Sequence, residues 1–331
     1  MNKAVLLGGV AGVAMALLAV MGAGGGTASA DGGPHVIETG ATPDKCAGCH
    51  RIHTGQNEFL LKQASTVEDF CFSCHGTGGP GSDLAAQEGT FYGAATPGPP
   101  YGSKTPSATL GLRAGGFDYA RIDTTDPGDE TIGVLATPQA VTSWHSSDGT
   151  IDGTVWGNGA LNSGAGPIYA LECTSCHDPH GNGNYRILRS VPTGSSGTGT
   201  PTPAPVAIAD QANPKVYTTS NYYSTGPVSG IQMSSWCATC HTRYLASSTG
   251  VNSGDAIFTY RHRSNGTLAG LTCIKCHTAH GTNAGASGTY SSTVGYPGGG
   301  SGTTSTAESR LLKMDNRGIC IKCHTDKKGP P

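Results

Sequence analysis

The stretch Cys46-Ala-Gly-Cys49-His50-Arg-Ile-His53 contains the pattern on which the organisation of the whole chain depends. Its first part, Cys-x-x-Cys-His, occurs six times and uses all 12 cysteines of the 331-residue sequence. Two thiols at this spacing can form thioethers to the two vinyl groups of one haem, and the adjoining histidine can then bind the iron. The sequence therefore predicts six covalently attached c-type haems, each with its iron.

Each motif supplies two attachment cysteines and one proximal iron ligand. A zinc site or a redox dithiol also uses paired cysteines, but neither requires a histidine after every second cysteine. The predicted attachment residues are Cys46, Cys49, Cys71, Cys74, Cys173, Cys176, Cys237, Cys240, Cys273, Cys276, Cys320 and Cys323, and the predicted proximal ligands are His50, His75, His177, His241, His277 and His324.

The remaining histidines match the demand for second axial ligands. Of the 12 histidines, six lie outside the motifs, and six irons with one ligand each need six more. Methionine is the other common sixth ligand, but beyond the N-terminal segment only Met233 and Met314 occur. The candidate distal ligands are therefore His35, His53, His145, His180, His262 and His280.

The motifs recur in three similar modules. Each module has an upstream histidine, a first Cys-x-x-Cys-His, a histidine three residues later, an aliphatic pair followed by a basic residue, and a second Cys-x-x-Cys-His. The aliphatic–basic elements are Leu60-Leu61-Lys62, Ile187-Leu188-Arg189 and Leu311-Leu312-Lys313. We assign 31–82 to the first module, 83–140 to a Gly/Pro/Thr-rich connection, 141–250 to the second module with a Ser/Thr/Pro-rich insertion, and 251–331 to the third.

The composition indicates a fold with little conventional core. Glycine occurs 52 times and aromatic residues make up 6% of the chain, which disfavours long helices and large packed sheets. We expect irregular coil, short helices around the haem sites, a few short hairpins, and a core built from stacked haems, as metal sites replace a core in small domains.

The spacing within the longer motif restricts which iron each histidine can reach. If the motif is helical, residues three apart have Cα atoms only about 5 Å apart on one face. Two imidazoles on opposite sides of one iron need backbones much further apart. His50 and His53 therefore cannot bind the same haem, and His53, His180 and His280 must each reach a neighbouring one.

The three modules resemble the doubled-CXXCH multihaem c-type cytochromes. Within that group, six haems on a Gly/Ser/Thr-rich chain look most like the secreted cytochromes of metal-reducing microbes, some of which form conducting filaments. The resemblance implies that His180 ligates a haem of the first module and His280 one of the second. It also implies that His53 ligates a third-module haem of the next subunit, in a head-to-tail homopolymer. Alternatively each link acts within its own module, so that His53 binds the haem of Cys71 and Cys74 and a monomer is complete.

The N-terminus and the charge limit location and partners. Lys3, the apolar run 4–20 and Ala28-Ser29-Ala30 describe a signal peptide, 1–30, so we expect a secreted chain without a transmembrane anchor after cleavage. Its place would be extracellular or at the cell surface, or alternatively periplasmic. The formal net charge of −2 and the absence of a basic patch exclude nucleic acid as a partner. Redox proteins, or an extracellular acceptor, are the expected donors and acceptors.

Electron transfer is the expected function, and the chain is not expected to be an enzyme. Bis-histidine ligation saturates each iron, whereas a multihaem oxidoreductase acting on a small oxyanion, the alternative function, needs an open iron site. The histidine count leaves no site open.

Overall fold

The computed structural model describes 46–62, 64–77, 84–92, 109–124, 134–150, 155–159, 168–182, 184–194, 230–245, 272–285 and 310–315, together with His35, Val206 and Ile319. The predicted signal peptide, 1–30, lies outside the described residues, as do His262, Cys320, Cys323 and His324. The module boundaries stay predictions.

Short helices surround the described motifs, as the sequence predicts. Helix α1 spans Val67–His75, α2 spans Cys173–Cys176, α3 spans Gly230–Cys237 and α4 spans Cys273–Cys276. Single 3₁₀ turns lie at Tyr185–Ile187 and Thr242–Tyr244. Among the described residues, no helix has the length and apolar character to cross a bilayer.

Local capping determines where α1 begins and ends. The side chain of Thr66 accepts a hydrogen bond from the backbone N–H of Asp69 (3.0 Å), which satisfies a donor of the first turn. Acidic residues in the first turn and His75 in the last turn complement the helix dipole. The helix stops at Gly76, whose extended backbone still donates to the carbonyl of Phe72.

The helices α2 and α4 end immediately before the proximal histidine. His177 (φ −111°, ψ 143°) and His277 (φ −111°, ψ 154°) have extended backbones. The helical geometry assumed above for the two histidines of the longer motif is therefore wrong at these two sites. A single helical turn presents both cysteines, and the chain then leaves in an extended direction.

Small antiparallel sheets occupy much of the described part of the connection. Strands β1 (Leu84–Ala85), β2 (Thr90–Tyr92) and β3 (Thr109–Gly111) form a three-stranded sheet in that order. Strands β4 (Tyr119–Ile122) and β5 (Val134–Ala140) form a hairpin that is irregular between Ala120 and Ile122. Strand β6 (Ser143–Trp144) pairs with the distant β7 (Gly281–Thr282).

Buried apolar side chains in the described ranges form small separate clusters. One contains Ile122, Met314 and Ile319, and another contains Leu188, Met233 and Trp236 packed against motif cysteines. A third contains Phe91 and Leu112. Such small clusters are consistent with a chain that gains stability from attached cofactors, although the stacked-haem core stays a prediction.

Candidate functional site

Histidine rings lie opposite each other in pairs, with interplanar angles from 20° to 67°, and each pair joins one motif histidine to one histidine outside the motifs. The ring centroids are 6.1 Å apart for His35–His75, 6.2 Å for His50–His180, 6.3 Å for His145–His241 and 6.3 Å for His177–His280. Four candidate distal ligands thus lie opposite four predicted proximal ligands.

This spacing leaves room for one metal ion between the rings. A metal bound by two imidazoles stands about 2 Å from each ring nitrogen, which with the ring radius puts the centroids about 6 Å apart. Within the described stretches, no group of three or more His, Cys, Asp or Glu side chains is placed to hold a metal ion. Two facing histidines would hold a haem iron between them, and the haem itself would supply the other ligand nitrogens.

The pairs follow two rules that repeat along the chain. The upstream histidine of a module faces the second motif of the same module, as His35 faces His75 and His145 faces His241. The histidine after the first motif faces the first motif of the preceding module, as His180 faces His50 and His280 faces His177. The modules are therefore linked in the order of the sequence.

Cysteines of different motifs also meet. None of the ten described cysteines forms a disulfide. Cys71 is hydrogen-bonded to Cys173, and Cys237 to Cys273, so thiols of successive motifs lie side by side. The hydrogen bond with Cys71 and then burial raise the pKa of Cys173, and burial raises the pKa of Cys176 to about 12. Attachment as thioethers would remove these titrations, and it would bring the porphyrins of successive motifs together.

The surroundings of four of the paired rings favour neutral imidazole, which is the form that binds metal. Desolvation lowers the pKa of His145 and His177. The same cause lowers the pKa of His241 to about 4 and that of His280 to about 3.

Backbone carbonyls fix the orientation of several rings through Nδ1. His35 donates to Pro179 O (2.8 Å), His145 to Ala279 O (2.7 Å) and His241 to Trp156 O (2.6 Å). We assign the proton to Nδ1 because a carbonyl oxygen can only accept. Nε2 is then unprotonated and available as a ligand.

The histidine of the first Cys-x-x-Cys-His in each module has the same kind of Nδ1 partner. His50 donates to Phe59 O (2.8 Å), His177 to Arg186 O (2.8 Å) and His277 to Arg310 O (3.0 Å). Each acceptor immediately precedes the aliphatic pair of its module, which the sequence identified without assigning it a role.

His53 has a different environment from the other described candidates. Its side chain is exposed, and within the described residues it makes no hydrogen bond or ring contact. His35, not His53, has its ring opposite His75. This ring pair does not favour the arrangement in which His53 serves the haem of Cys71 and Cys74, and the iron that His53 serves stays a prediction. His262, and the third-module residues Cys320, Cys323 and His324, lie outside the described residues.

The connection contributes to the site in a way that sequence reasoning missed. Phe117 stacks on His280 with ring centroids 4.5 Å apart, and the carbonyl of Ala114 accepts a hydrogen bond from the N–H of His280 (2.7 Å). No motif marks these residues. An aromatic residue next to a glycine pair in a turn-rich segment was the available signal, and it is a weak one.

Comparison with known proteins gives one match. Residues 39–79 match the family model of the doubled CXXCH motif, which is typical of multihaem c-type cytochromes and implies covalently bound c-type haem. No curated protein matches the chain. No solved structure matches it either.

Proposed function

We propose that this chain transfers electrons through six covalently bound c-type haems, each iron held between two histidines, outside the cytoplasm. The observation that supports the proposal best is the set of four histidine pairs at 6.1–6.3 Å, each with one motif and one non-motif ring. Both members of each motif's cysteine pair would be thioether anchors. Extending the repeat pairs His262 with His324.

The pairs suit electron transfer because neither ligand needs to leave. One electron enters or leaves an iron whose six positions stay filled, so reorganisation is small and substrates have no site to bind. His177 and His180 are three residues apart, and they face the rings of His280 and His50, respectively. Each such link keeps two irons close, which favours electron passage between them.

Intact mass and spectra of the secreted protein test this function. We expect loss of residues 1–30 and a mass that includes six haems. The absorption spectrum should be low-spin in both the oxidised and the reduced state, and paramagnetic resonance of the oxidised protein should show low-spin ferric iron. Four or fewer haems on folded protein would refute the count. High-spin ferric iron in the wild-type protein would instead favour the oxidoreductase acting on a small oxyanion, because it reveals an open site.

We further propose that copies of the chain join head to tail through His53. Two contacts recur between successive modules. The histidine after the first motif of a module faces a motif histidine of the preceding module. The carbonyl of the residue just before that histidine accepts a hydrogen bond from Nδ1 of the preceding module's upstream histidine. Pro179 and Ala279 are those acceptors, for His35 and His145. In the first module the equivalent residues are Ile52 and His53, and Ile52 is 80% exposed.

The same rules assign these two residues to the third module of another copy. His53 would face His277, and the carbonyl of Ile52 would accept from His262. Such a contact joins unlike surfaces and repeats without closing, so it produces a filament rather than a closed dimer. The resemblance to filament-forming cytochromes supports the same assembly.

Substitution of His53 tests the assembly. In His53→Ala we expect loss of filaments by electron microscopy and light scattering, with all haems still attached. Thr54→Ala, the exposed neighbouring position, is the control and should assemble normally. Filaments that form equally well in His53→Ala would refute this joint without affecting the proposal of electron transfer.

A further inference from the structure

Each module contains a left-handed residue at the first position of its aliphatic pair. The backbone φ is 57° at Leu60, 53° at Ile187 and 63° at Leu311, and in the second and third modules the preceding Arg186 (52°) and Arg310 (56°) are left-handed as well. Non-glycine residues adopt this conformation at a cost of about 1 kcal/mol or more, and the cost is higher for β-branched residues such as isoleucine. The chain has 52 glycines, but none is used at these three positions.

The left-handed residue belongs to an arrangement of three hydrogen bonds that is the same in each module. In the first module, the carbonyl before the left-handed residue accepts from the Nδ1 of His50 (2.8 Å). Leu60 O accepts from the N–H of Arg51 (2.8 Å), and Lys62 N donates to Cys49 O (2.9 Å).

The other two modules reproduce these bonds closely. Next to His177, Ile187 O accepts from Asp178 N (2.7 Å) and Arg189 N donates to Cys176 O (2.8 Å). Next to His277, the corresponding bonds are Thr278 N to Leu311 O (2.8 Å) and Lys313 N to Cys276 O (3.0 Å). The second aliphatic residue forms an isolated antiparallel bridge with the histidine in all three modules, at His50–Leu61, His177–Leu188 and His277–Leu312.

Sequence separation does not explain the repeated geometry. The left-handed residue follows its histidine by 10 positions in the first two modules and by 34 in the third, as the numbers 50/60, 177/187 and 277/311 give. A turn that formed only because the intervening loop was short would not survive an insertion of that size. The geometry is therefore independent of the length of the loop between the histidine and the aliphatic pair.

We propose that the aliphatic–aliphatic–basic element positions the first proximal histidine of each module and lowers the reduction potential of the iron bound to it. The left-handed residue turns the preceding carbonyl onto Nδ1, which fixes the ring orientation and leaves Nε2 for the metal. A carbonyl that accepts from Nδ1 increases electron donation by the ring and so stabilises the ferric over the ferrous state. The inference rests on the proposed function, because it requires iron at Nε2.

Two substitutions of Leu60 separate the turn from the side chain. Leu60→Gly removes the side chain and allows the left-handed conformation, whereas Leu60→Pro fixes φ near −65° and also removes the N–H that bonds to Asn57 O (2.9 Å). In the secreted full-length protein, we expect Leu60→Gly to keep all six midpoint potentials. We expect Leu60→Pro to raise one of them, with about a tenfold change in the reduced-to-oxidised ratio of that haem at its wild-type midpoint.

A second variant covers the case in which Leu60→Pro does not fold. The Oδ1 of Asn57 accepts from Phe59 N (3.0 Å) and Leu61 N (3.2 Å), so Asn57→Ala loosens the same turn without constraining the backbone. It should raise the same potential by a smaller factor. Glu58→Ala, at the exposed position beside it, is the matched control and should leave all potentials unchanged.

The results distinguish this inference from the proposed function. If the turn-breaking variants carry six low-spin haems and all potentials stay at wild-type values, the positioning role is refuted and electron transfer stands. An equal shift in Leu60→Gly and Leu60→Pro would also refute it, because the side chain and not the carbonyl would then control the iron. Wild-type protein without low-spin iron would refute the proposed function itself.

Discussion

At the scale of single residues, the histidines differ in which backbone carbonyl accepts the hydrogen bond from Nδ1. The carbonyls that hold His35 and His145 come from the following module, whereas those that hold His50 and His177 come from the same module. His180 has no carbonyl bond of this kind in the described chain and is 60% exposed, with its Nδ1 3.6 Å from a carboxylate oxygen of Asp178. Among the described histidines that have a facing ring, His180 is therefore the most accessible to solvent.

Replacement of His180 by alanine should affect one haem in six. The ring opposite His50 is lost, so that iron is expected to become five-coordinate or water-ligated, whereas all haems stay attached through their cysteines. Visible and paramagnetic resonance spectra should show about one sixth of the iron as high-spin. Added imidazole should restore the low-spin form. Fully low-spin spectra without added ligand would exclude His180 as an axial ligand.

The sequence predicted the direction of two links but not the complete pairing. A helical spacing, which is wrong at these two sites, predicted that His180 and His280 reach other haems, and the resemblance implied the preceding module. The rings that they face do belong to the preceding module. Nothing in the spacing assigned His35 to His75, because these residues meet through contacts that span many residues. Their roles as iron ligands stay predictions.

At the scale of elements, the connection between the first two modules is a structural part and not a spacer. Its turn at Gly115, with φ +73°, lies against β7 so closely that a Cβ there would be 1.6 Å from Gly281 O. Phe117, two residues later, contacts both His280 and Phe72, and so joins a first-module helix to a third-module histidine. Phe117 lies between the three-stranded sheet and the β4–β5 hairpin in the chain, so these elements help to position it.

The close approach at Gly115 makes this position sensitive to a single methyl group. We expect Gly115→Ala to lower the free energy of unfolding by about 2 kcal/mol or more, since the left-handed backbone and the overlap with β7 both oppose it. Gly149→Ala is a matched control. It has φ +78°, but its nearest atom is a side-chain oxygen of Glu172 at 3.0 Å, so it should lose about 1 kcal/mol. Denaturant titration of the haem spectrum measures both, and equal losses would show that only the backbone angle matters.

The short helices were predictable because they follow from motif chemistry, whereas the sheet partners were not. Strands of two to seven residues give too little alternation to recognise. The pairing of β6 with β7 joins Ser143 to Thr282 across most of two modules. Repeated left-handed leucine and isoleucine residues were also hidden, since propensity predicts glycine or asparagine at such positions.

At the scale of the whole molecule, acid should weaken the fold before carboxyl groups titrate. An unfolded histidine has a pKa of about 6.5, whereas His241 titrates at about 4 and His280 at about 3 in the folded chain. As pH falls below about 6.5, the unfolded chain gains protons at these rings and the folded chain does not, so the stability present above that pH is progressively lost. Protons also compete with iron for the same nitrogen.

Denaturant midpoints between pH 7.5 and 5.5 check this expectation. Each ring should contribute a loss approaching about 1.4 kcal/mol per pH unit once the pH is below the unfolded pKa. A midpoint that rises on acidification over this range would contradict it. Independence from pH would show that the buried rings are protonated equally in both states.

The carbonyls of Pro179 and Ala279 bear on the order in which parts of the chain can fold, because their partners lie in earlier modules. His35 reaches an acceptor 144 residues ahead of it, and His145 reaches one 134 residues ahead, so each contact requires a segment that is synthesised later. Contacts this far apart in sequence form slowly and are absent while the chain emerges N-terminus first. During maturation, each contact between modules would then form only after the later module is present, and haem attachment would precede native packing. A chain arrested after its second module would leave the iron of His177 with one axial ligand, exposed to oxidants until the third module arrived.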